Sequence, residues 1–365
     1  MPNADIYLHD ALAAFELSAP AAGVERFGQG HINDTYLVET QDRRRYIFQR
    51  ISPVAFKRPD QLMENVVGIT EYLSRELAET GGDTRRGTLH FLRTREGSYY
   101  YTDRGGSAWR TYPFVDGTVC YDTAETPELF AASGRAFGRF QRLLQGYPAQ
   151  TLHETIPHFH DTEDRLVKLK AAVSADPLGR KAGCREEIAF MLDRESDCSV
   201  ALRALREGRL PLRVTHNDTK LNNVLMDEKT GEGVCIVDLD TVMPGLSIND
   251  FGDSIRFGAN HCAEDERDLS KVSLDLHLFE LYTRAFLEGA GGTLTDEEIA
   301  YLPWGAKLMT LECGMRFLTD HLEGDVYFHI DREGQNLDRC RTQCKLVSDM
   351  EAHWDEMKQI VDRCR

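Results

Sequence analysis

The chain has 365 residues, enough to bury a large interior and better suited to two lobes than to one uninterrupted core. Its 60 acidic and 43 basic side chains leave a formal net charge of −17, which speaks against nonspecific binding to nucleic acid or an anionic membrane. The nine cysteines are scattered rather than clustered like zinc ligands, which fits a reduced, cytoplasmic setting, and no stretch has transmembrane length or a signal-like pattern.

Ile6 to Phe15 reads as an opening helix. Gly28 and Gly30 follow in a segment where a tight reversal lets backbone amides approach a phosphate. Tyr36, Val38, Tyr46 and Phe48 alternate on either side of Asp42-Arg43-Arg44, the pattern of an antiparallel hairpin. A dinucleotide-binding unit would need a third glycine and a helix next, and strand-like sequence follows instead. Gln49-Arg50 ends the second strand, where a kinase places its phosphate-pairing lysine. Arg50 can supply that charge or Gln49 a hydrogen bond, but the two occupy opposite faces and the sequence leaves both open, along with a merely solvated Arg50.

Pro59-Asp60 opens a helix whose Leu62, Val66, Ile69, Leu73 and Leu77 share a face, and Gly81-Gly82 ends it. Glu64 and Glu71 on it are candidates for a kinase-like ion pair. Leu89 to Leu92, Tyr99 to Thr102 and Ala108 to Phe114 read as three more strands. Trp109 to Gly117 then connects the lobes, offering backbone groups to an adenine edge and aromatic walls, Tyr112 among them. From Thr126, a capping residue before Pro127, the pattern turns helical, with Thr162 to Val173, Arg185 to Leu192 and Val200 to Glu207 as further helices. Between them, His153 to Asp161 is a polar, His-rich loop whose simplest role is packing.

The chemistry concentrates in Thr215-His216-Asn217-Asp218-Thr219-Lys220-Leu221-Asn222-Asn223 and, after a turn at Asp227 to Gly233, Ile236-Val237-Asp238-Leu239-Asp240. A hairpin of Val224 to Met226 and Val234 to Val237 brings Asp218 and Asn223 toward Asp238. The order His-x-Asp, Asn, hairpin, Asp is a shortened kinase pattern. One carboxylate takes a hydroxyl proton, while an amide and a second carboxylate hold a divalent cation across a triphosphate. Asp218 is thus the candidate base, Asn223 and Asp238 are the candidate metal ligands, and His216 is a loop brace. Lys220 either steadies phosphate or base, or is a surface ammonium.

Asp250 or Asp253 is expected to cap a helix or brace the catalytic loop by accepting its amides, rather than to bind metal directly. Leu269 to Phe286 reads as one long helix, and Thr295 to Glu298 as a capping box before a helix that Pro303 interrupts. Arg316 either pairs with Glu312 and Asp320 along its own helix or projects, with Tyr327, into an acceptor cleft. A last helix covers about Arg339 to Arg363.

Taken together, Phe27 to Asn33, Trp109-Arg110-Thr111-Tyr112, His158-Phe159-His160-Asp161, Leu212 to Asn223, Leu239 to Gly245, Phe251 to Ala259 and Glu312 to Leu318 resemble the N-acetylhexosamine 1-kinases. These belong to the aminoglycoside-phosphotransferase and choline-kinase-like group. The resemblance implies an α+β, bilobal protein-kinase-like fold, with a small antiparallel-sheet N-lobe (residues 1–115) and a mainly helical C-lobe (residues 116–365). It implies ATP and Mg²⁺ as cofactors and GlcNAc or GalNAc, phosphorylated at the anomeric hydroxyl, as substrate, with no protein partner. In that picture Asp218 is the base beside Lys220, and Asn223 and Asp238 hold the metal. His31, Asp218, Arg316 and Tyr327 meet the sugar. Gly28, Gly30, Asn33, Arg50 and Tyr112 are the nucleotide candidates from the chain's own pattern, and the lysine-free Gln49-Arg50 departs from the general kinase pattern. A kinase for another small alcohol, an aminoglycoside kinase and a non-catalytic binding protein are the competing expectations.

Overall fold

A computed structural model describes residues 4–28 and 32–365. Gly30 and His31, expected at the nucleotide and the sugar, lie outside the described residues.

Helix α1 (Ala4–Ala14) precedes strands β1 (Ala21–Arg26), β2 (Asp34–Thr40) and β3 (Arg45–Arg50). Helix α2 (Pro59–Glu79) and strands β4 (Tyr101–Thr102) and β5 (Ala108–Pro113) follow, giving one five-stranded sheet in the order β1-β2-β3-β5-β4. The alternation of Tyr36, Val38, Tyr46 and Phe48 produces the expected hairpin: Val38 stands opposite Tyr46, and Tyr36 opposite Phe48. These side chains pack with Trp109 against Leu8, Ala11 and Phe15, so α1 covers the outer face of the sheet.

Strand β1 had no sequence signal because all six of its residues are exposed; an edge strand with no buried face shows no alternation. Leu89 to Leu92, expected as a strand, is not one. Leu92 N–H reaches Thr111 C=O at 2.9 Å, and the chain folds back at once through a Thr94 to Ser98 turn, leaving no length for a ladder.

Strand β6 (Thr118–Val119) leads into α3 (Pro127–Leu143), where the Thr126 side chain accepts from Leu129 N–H as its composition promised. Helices α4 (Thr162–Ala175), α5 (Arg185–Leu192) and α6 (Val200–Arg206) follow. Strand β7 (Arg213–Thr215), the hairpin of β8 (Val224–Asp227) and β9 (Gly233–Ile236), and β10 (Met243–Gly245) then frame the loop of the candidate base, Asp218.

The C-terminal part continues with α7 (Ser247–Gly258), α8 (Leu276–Ala290), α9 (Asp296–Ala300), α10 (Leu302–Glu323), α11 (Gln335–Ala352) and α12 (Trp354–Cys364). Two expectations are corrected here and one holds. The helix read from Leu269 starts only at Leu276, where Asp275 accepts from Leu278 N–H; Leu269–Lys271 is a separate 3₁₀ turn. The expected interruption near Pro303 is present: the helix that Thr295 opens ends at Ala300, and α10 begins at Leu302 with Pro303 in its first turn, where a missing N–H costs little. The last helix is two, divided at His353, so that Trp354 can meet Trp304 edge to face at 4.9 Å.

Helices α7 and α10 cross backbone to backbone. A Cβ on Gly252 would lie 2.1 Å from Gly305 O, and one on Gly305 would lie 2.1 Å from Ile248 O. That contact fixes where α7 presents its carboxylates to the catalytic loop. Among the described residues, no helix is long and apolar enough to cross a membrane.

Candidate active site

The catalytic loop leaves β7 at Thr215 and is pinned from below by α7. Asp250, fully buried, accepts His216 N–H (2.9 Å) and Asn217 N–H (2.8 Å) on its two oxygens, and Gln141 Nε2 adds a third bond at 2.7 Å. Burial raises the Asp250 pKa despite those donors. One turn on, Asp253 Oδ2 accepts Thr219 N–H at 3.0 Å. Its burial is outweighed by Arg256 and its other cationic neighbours, so its pKa is lowered. Asp250 and Asp253 therefore both brace the loop.

His216 is fully buried. Its Nε2–H donates to Val237 C=O (2.9 Å), its Nδ1 accepts Asp218 N–H (3.3 Å), and its ring lies edge-on to Phe137 and Phe140. With both nitrogens spent on backbone, it is a brace in this arrangement. Asn217 has φ +66°, a conformation Asn tolerates, and its side chain bonds Thr241 C=O at 2.8 Å.

Asp218, Lys220, Asn223 and Asp238 come together. Lys220 Nζ is 2.9 Å from Asp218 Oδ1, and Asn223 Nδ2 bonds Asp218 C=O (2.8 Å) and Oδ2 (3.3 Å). Burial works against the Lys220 charge, but Asp218 outweighs it and the pKa is raised. Val237 N–H donates to Asn223 C=O at 2.9 Å, continuing the β8–β9 ladder and setting Asp238 beside Asn223. Asp238 has φ +57°, which turns its side chain out of the strand direction. Water reaches it, yet desolvation by the surrounding protein, together with Asp240 and Asp218, raises its pKa to about 6.

Among the described residues, neither the Asp238 carboxylate nor Asn223 Oδ1 has a hydrogen-bond partner. An amide oxygen and a crowded carboxylate are hard donors suited to Mg²⁺ or a similar ion. No group of three or more His, Cys, Asp or Glu placed to hold a metal occurs among the described residues, and Cys340 and Cys344 share a helix face 3.9 Å apart without further ligands.

Arg50 is corrected. The β3 register turns it to the outer face, where Nη2 bonds Ser107 Oγ at 2.8 Å, its guanidinium lies over Tyr7, and Asp34 and Asp103 are within 4 Å. Gln49 faces inward and accepts from Arg110 Nε at 3.0 Å. Arg110 itself, 2 % exposed, reaches Asp240 at 2.5 Å. Arg110 rather than Arg50 therefore brings a sheet-borne positive charge to the acidic cluster. Neither Arg110 nor Asp240 was singled out from the sequence; the second acid of Asp238-Leu239-Asp240, beside an arginine in an otherwise apolar strand, was the available signal. Removing one member of a buried pair strands the other charge, so Arg110→Ala is expected to cost about 3–5 kcal/mol in chemical denaturation. Arg110→Met/Asp240→Leu should recover most of that.

Asn33 bridges to the same acid: its Nδ2 donates to Asp240 Oδ2 (2.7 Å) and its Oδ1 accepts Ser52 N–H (2.9 Å). Tyr112 is buried on the Arg110 side of β5, with Phe91 edge-on at 5.2 Å, and Gly28 holds φ +75° at the turn beyond β1. Glu64 and Glu71 bond His153 (2.6 Å) and Tyr99 (2.6 Å) and, among the described residues, form no kinase-like pair with a lysine or arginine.

Arg316 forms no ion pair with Glu312 or Asp320. Asp320 accepts the amides of Val326, Tyr327 and Phe328, and Glu312 is taken by His160. Arg316 instead lies 3.5 Å from Tyr327 Oη, ringed by Phe159, Tyr327 and Phe328. Arg165 stands close by, its pKa lowered by burial and by the Arg316 charge.

A sequence profile of the phosphotransferase enzyme family, APH, matches residues 23–278. The chain belongs to that family. Solved structures agree in fold across nearly the whole length of this phosphotransferase. An aminoglycoside phosphotransferase from Alicyclobacillus acidocaldarius superposes with a TM-score of 0.62 at 14 % identity, covering 97 % of this chain and 96 % of its own. A microcompartment-associated aminopropanol kinase gives 0.62 at 17 %, covering 98 % and 99 %. An amicoumacin kinase, hAmiN, in complex with AMP-PNP, Ca²⁺ and Ami gives 0.60 at 16 %, covering 94 % and 93 %. The expected antiparallel-sheet and helical halves of a kinase-like phosphotransferase are thus the fold of this protein.

Proposed function

We propose that this phosphotransferase moves the γ-phosphoryl group of ATP, held with Mg²⁺, to the anomeric hydroxyl of an N-acetylhexosamine, GlcNAc or GalNAc. Asp218 orients the hydroxyl and takes its proton, and Lys220 steadies the carboxylate from 2.9 Å. Asn223 and Asp238 would hold the metal, which when bound offsets charge on the phosphoryl oxygens. The loop around Gly28, with Asn33 anchored to Asp240 and Tyr112 at the sheet's inner face, would receive the nucleotide. Arg50 has no part in this reading.

The acceptor class rests on the Arg165–Arg316 pair beside Tyr327. Two guanidiniums whose charges oppose each other repel an ammonium, so an aminoglycoside or amino-alcohol would be a poor acceptor there. A neutral sugar suits the same place, its hydroxyl and N-acetyl oxygens accepting from Arg316 and its ring lying against the aromatic side chains.

An acceptor panel monitored by ADP release, with phosphorus NMR to locate the new bond, tests the proposal. GlcNAc and GalNAc are expected to give anomeric phosphates with kcat/KM at least about tenfold above glucose or galactose, a margin of roughly 1.4 kcal/mol. Preferred turnover of ethanolamine, aminopropanol or an aminoglycoside would overturn the assignment.

A further inference from the structure

The His-rich loop before α4 carries a residue that the reaction scheme leaves unused. His160 has a side chain only 11 % exposed, and its two ring nitrogens face two different acceptors. Nδ1 is 3.0 Å from Glu312 Oε1 on α10, and Nε2 is 3.0 Å from the carbonyl oxygen of Asn217, the residue before Asp218. A backbone carbonyl has no proton to give, and an ionised carboxylate has none either. With Glu312 ionised, both bonds exist together only if both nitrogens carry protons.

We propose that His160 is a positioning residue of the catalytic loop: an imidazolium that ties the Asn217 carbonyl to Glu312 and so fixes the peptide on which Asp218 is mounted. Asn217 is held at its amide by Asp250, at its side chain by Thr241 and at its carbonyl by His160. His160 supplies the bond that comes from the acceptor side of the site. Glu312 lies one helical turn before Arg316, and Phe159, next to His160, has its ring under the Arg316 guanidinium. The device therefore joins the helix carrying the proposed acceptor contacts to the loop carrying the base. It rests on Asp218 acting as the base, and is independent of which acceptor is used.

The charges facing His160 favour the imidazolium. Burial opposes it, Glu312 on α10 outweighs the burial, and Asp253 on α7 adds a further attraction, so the pKa is raised. Arg165 on α4 approaches Glu312 at 3.9 Å from another side and competes for it, while Glu312 Oε2 is buried with no hydrogen-bond partner among the described residues. Loss of the ring proton breaks one of the two ties, and kcat should fall as pH rises through the histidine's raised pKa.

The test compares pH profiles of kcat for wild type, Glu312→Gln and His160→Gln, using the acceptor that the panel identifies. Wild type is expected to lose kcat on the alkaline side at a pH above the ordinary histidine range. Glu312→Gln keeps an acceptor oxygen but removes the charge, and should move that limb down by about one pH unit or more. His160→Gln keeps a single donor; it should lower kcat at neutral pH by about tenfold, leave KM for ATP within about twofold and abolish the limb. Independently of activity and of any variant's folding, ¹⁵N NMR of histidine-labelled wild type should show one ring with both nitrogens protonated at about pH 7.5. An unchanged profile in Glu312→Gln, a retained limb in His160→Gln, or the absence of any doubly protonated ring would overturn the proposal.

Discussion

Asp218→Asn is expected to lower kcat by at least about 10²-fold while leaving nucleotide affinity nearly unchanged, because it removes proton acceptance at the acceptor hydroxyl and keeps the size and shape of the side chain. Asn keeps one acceptor oxygen, enough for Lys220 or Asn223 but not both, since their bonds of 2.9 and 3.3 Å go to different oxygens of Asp218; the backbone is held separately by His216. Single-turnover phosphoryl transfer and equilibrium binding of a non-hydrolysable ATP analogue separate the two effects. Turnover within a few-fold of wild type would remove Asp218 from the role of base, and a parallel loss of analogue binding would mean the loop itself had moved.

Asp238→Asn should have the second large effect, and of opposite sign on activity and stability. Lewis-acid assistance is worth several kcal/mol, so losing the charged metal ligand should reduce kcat/KM by about 10²–10³-fold at saturating Mg²⁺. In wild type the proton competes with the metal. Because the Asp238 pKa lies at about 6, the Mg²⁺ concentration needed for half-maximal rate should climb about tenfold per pH unit below that point.

The same shift affects folding. A carboxylate whose pKa rises on folding, here from 3.8 to about 6, favours the folded protein when protonated. That stability is present below the unfolded pKa and lost as pH rises through the folded one, so at neutral pH the metal-free protein bears the whole cost. Asp238→Asn should therefore raise Tm at pH 7.5 and leave it unchanged near pH 4. Water reaches Asp238 and screens the effect, which keeps the gain to about 1–3 °C. Mg²⁺-ATP should raise Tm in wild type and much less in the variant. Equal Tm values at both pH values would show that Asp238 is not electrostatically strained.

Several features were legible because each is short-range. The β2–β3 hairpin shows in period-two alternation, and the Thr126 and Thr295 caps show in residue type beside the start of a helical pattern. The spacing of Asp218, Asn223 and Asp238 also survives in sequence order, because a tight hairpin has few ways to return. Strand β1 left no trace, since neither face is buried and nothing imposes a pattern. The run from Leu269 looked like a continuous helix because its apolar spacing persists, but Asp275 caps a new helix inside it and the hydrogen bonds begin there.

What the sequence by itself determined is the set of local units and the chemical kind of the site: oxygen donors and a candidate base around a hairpin, between a sheet-forming half and a helical half. Tertiary structure alone decided which charges serve that site. Arg50 and Gln49 are neighbours in the chain, and only the ladder with β5 turns one outward and the other toward Arg110 and Asp240. His160 finds Glu312 across 152 positions, and Asn33 finds Asp240 across 207. Such contacts leave no periodicity, because they are selected by the cost of burying an unpaired polar group once distant elements have packed together.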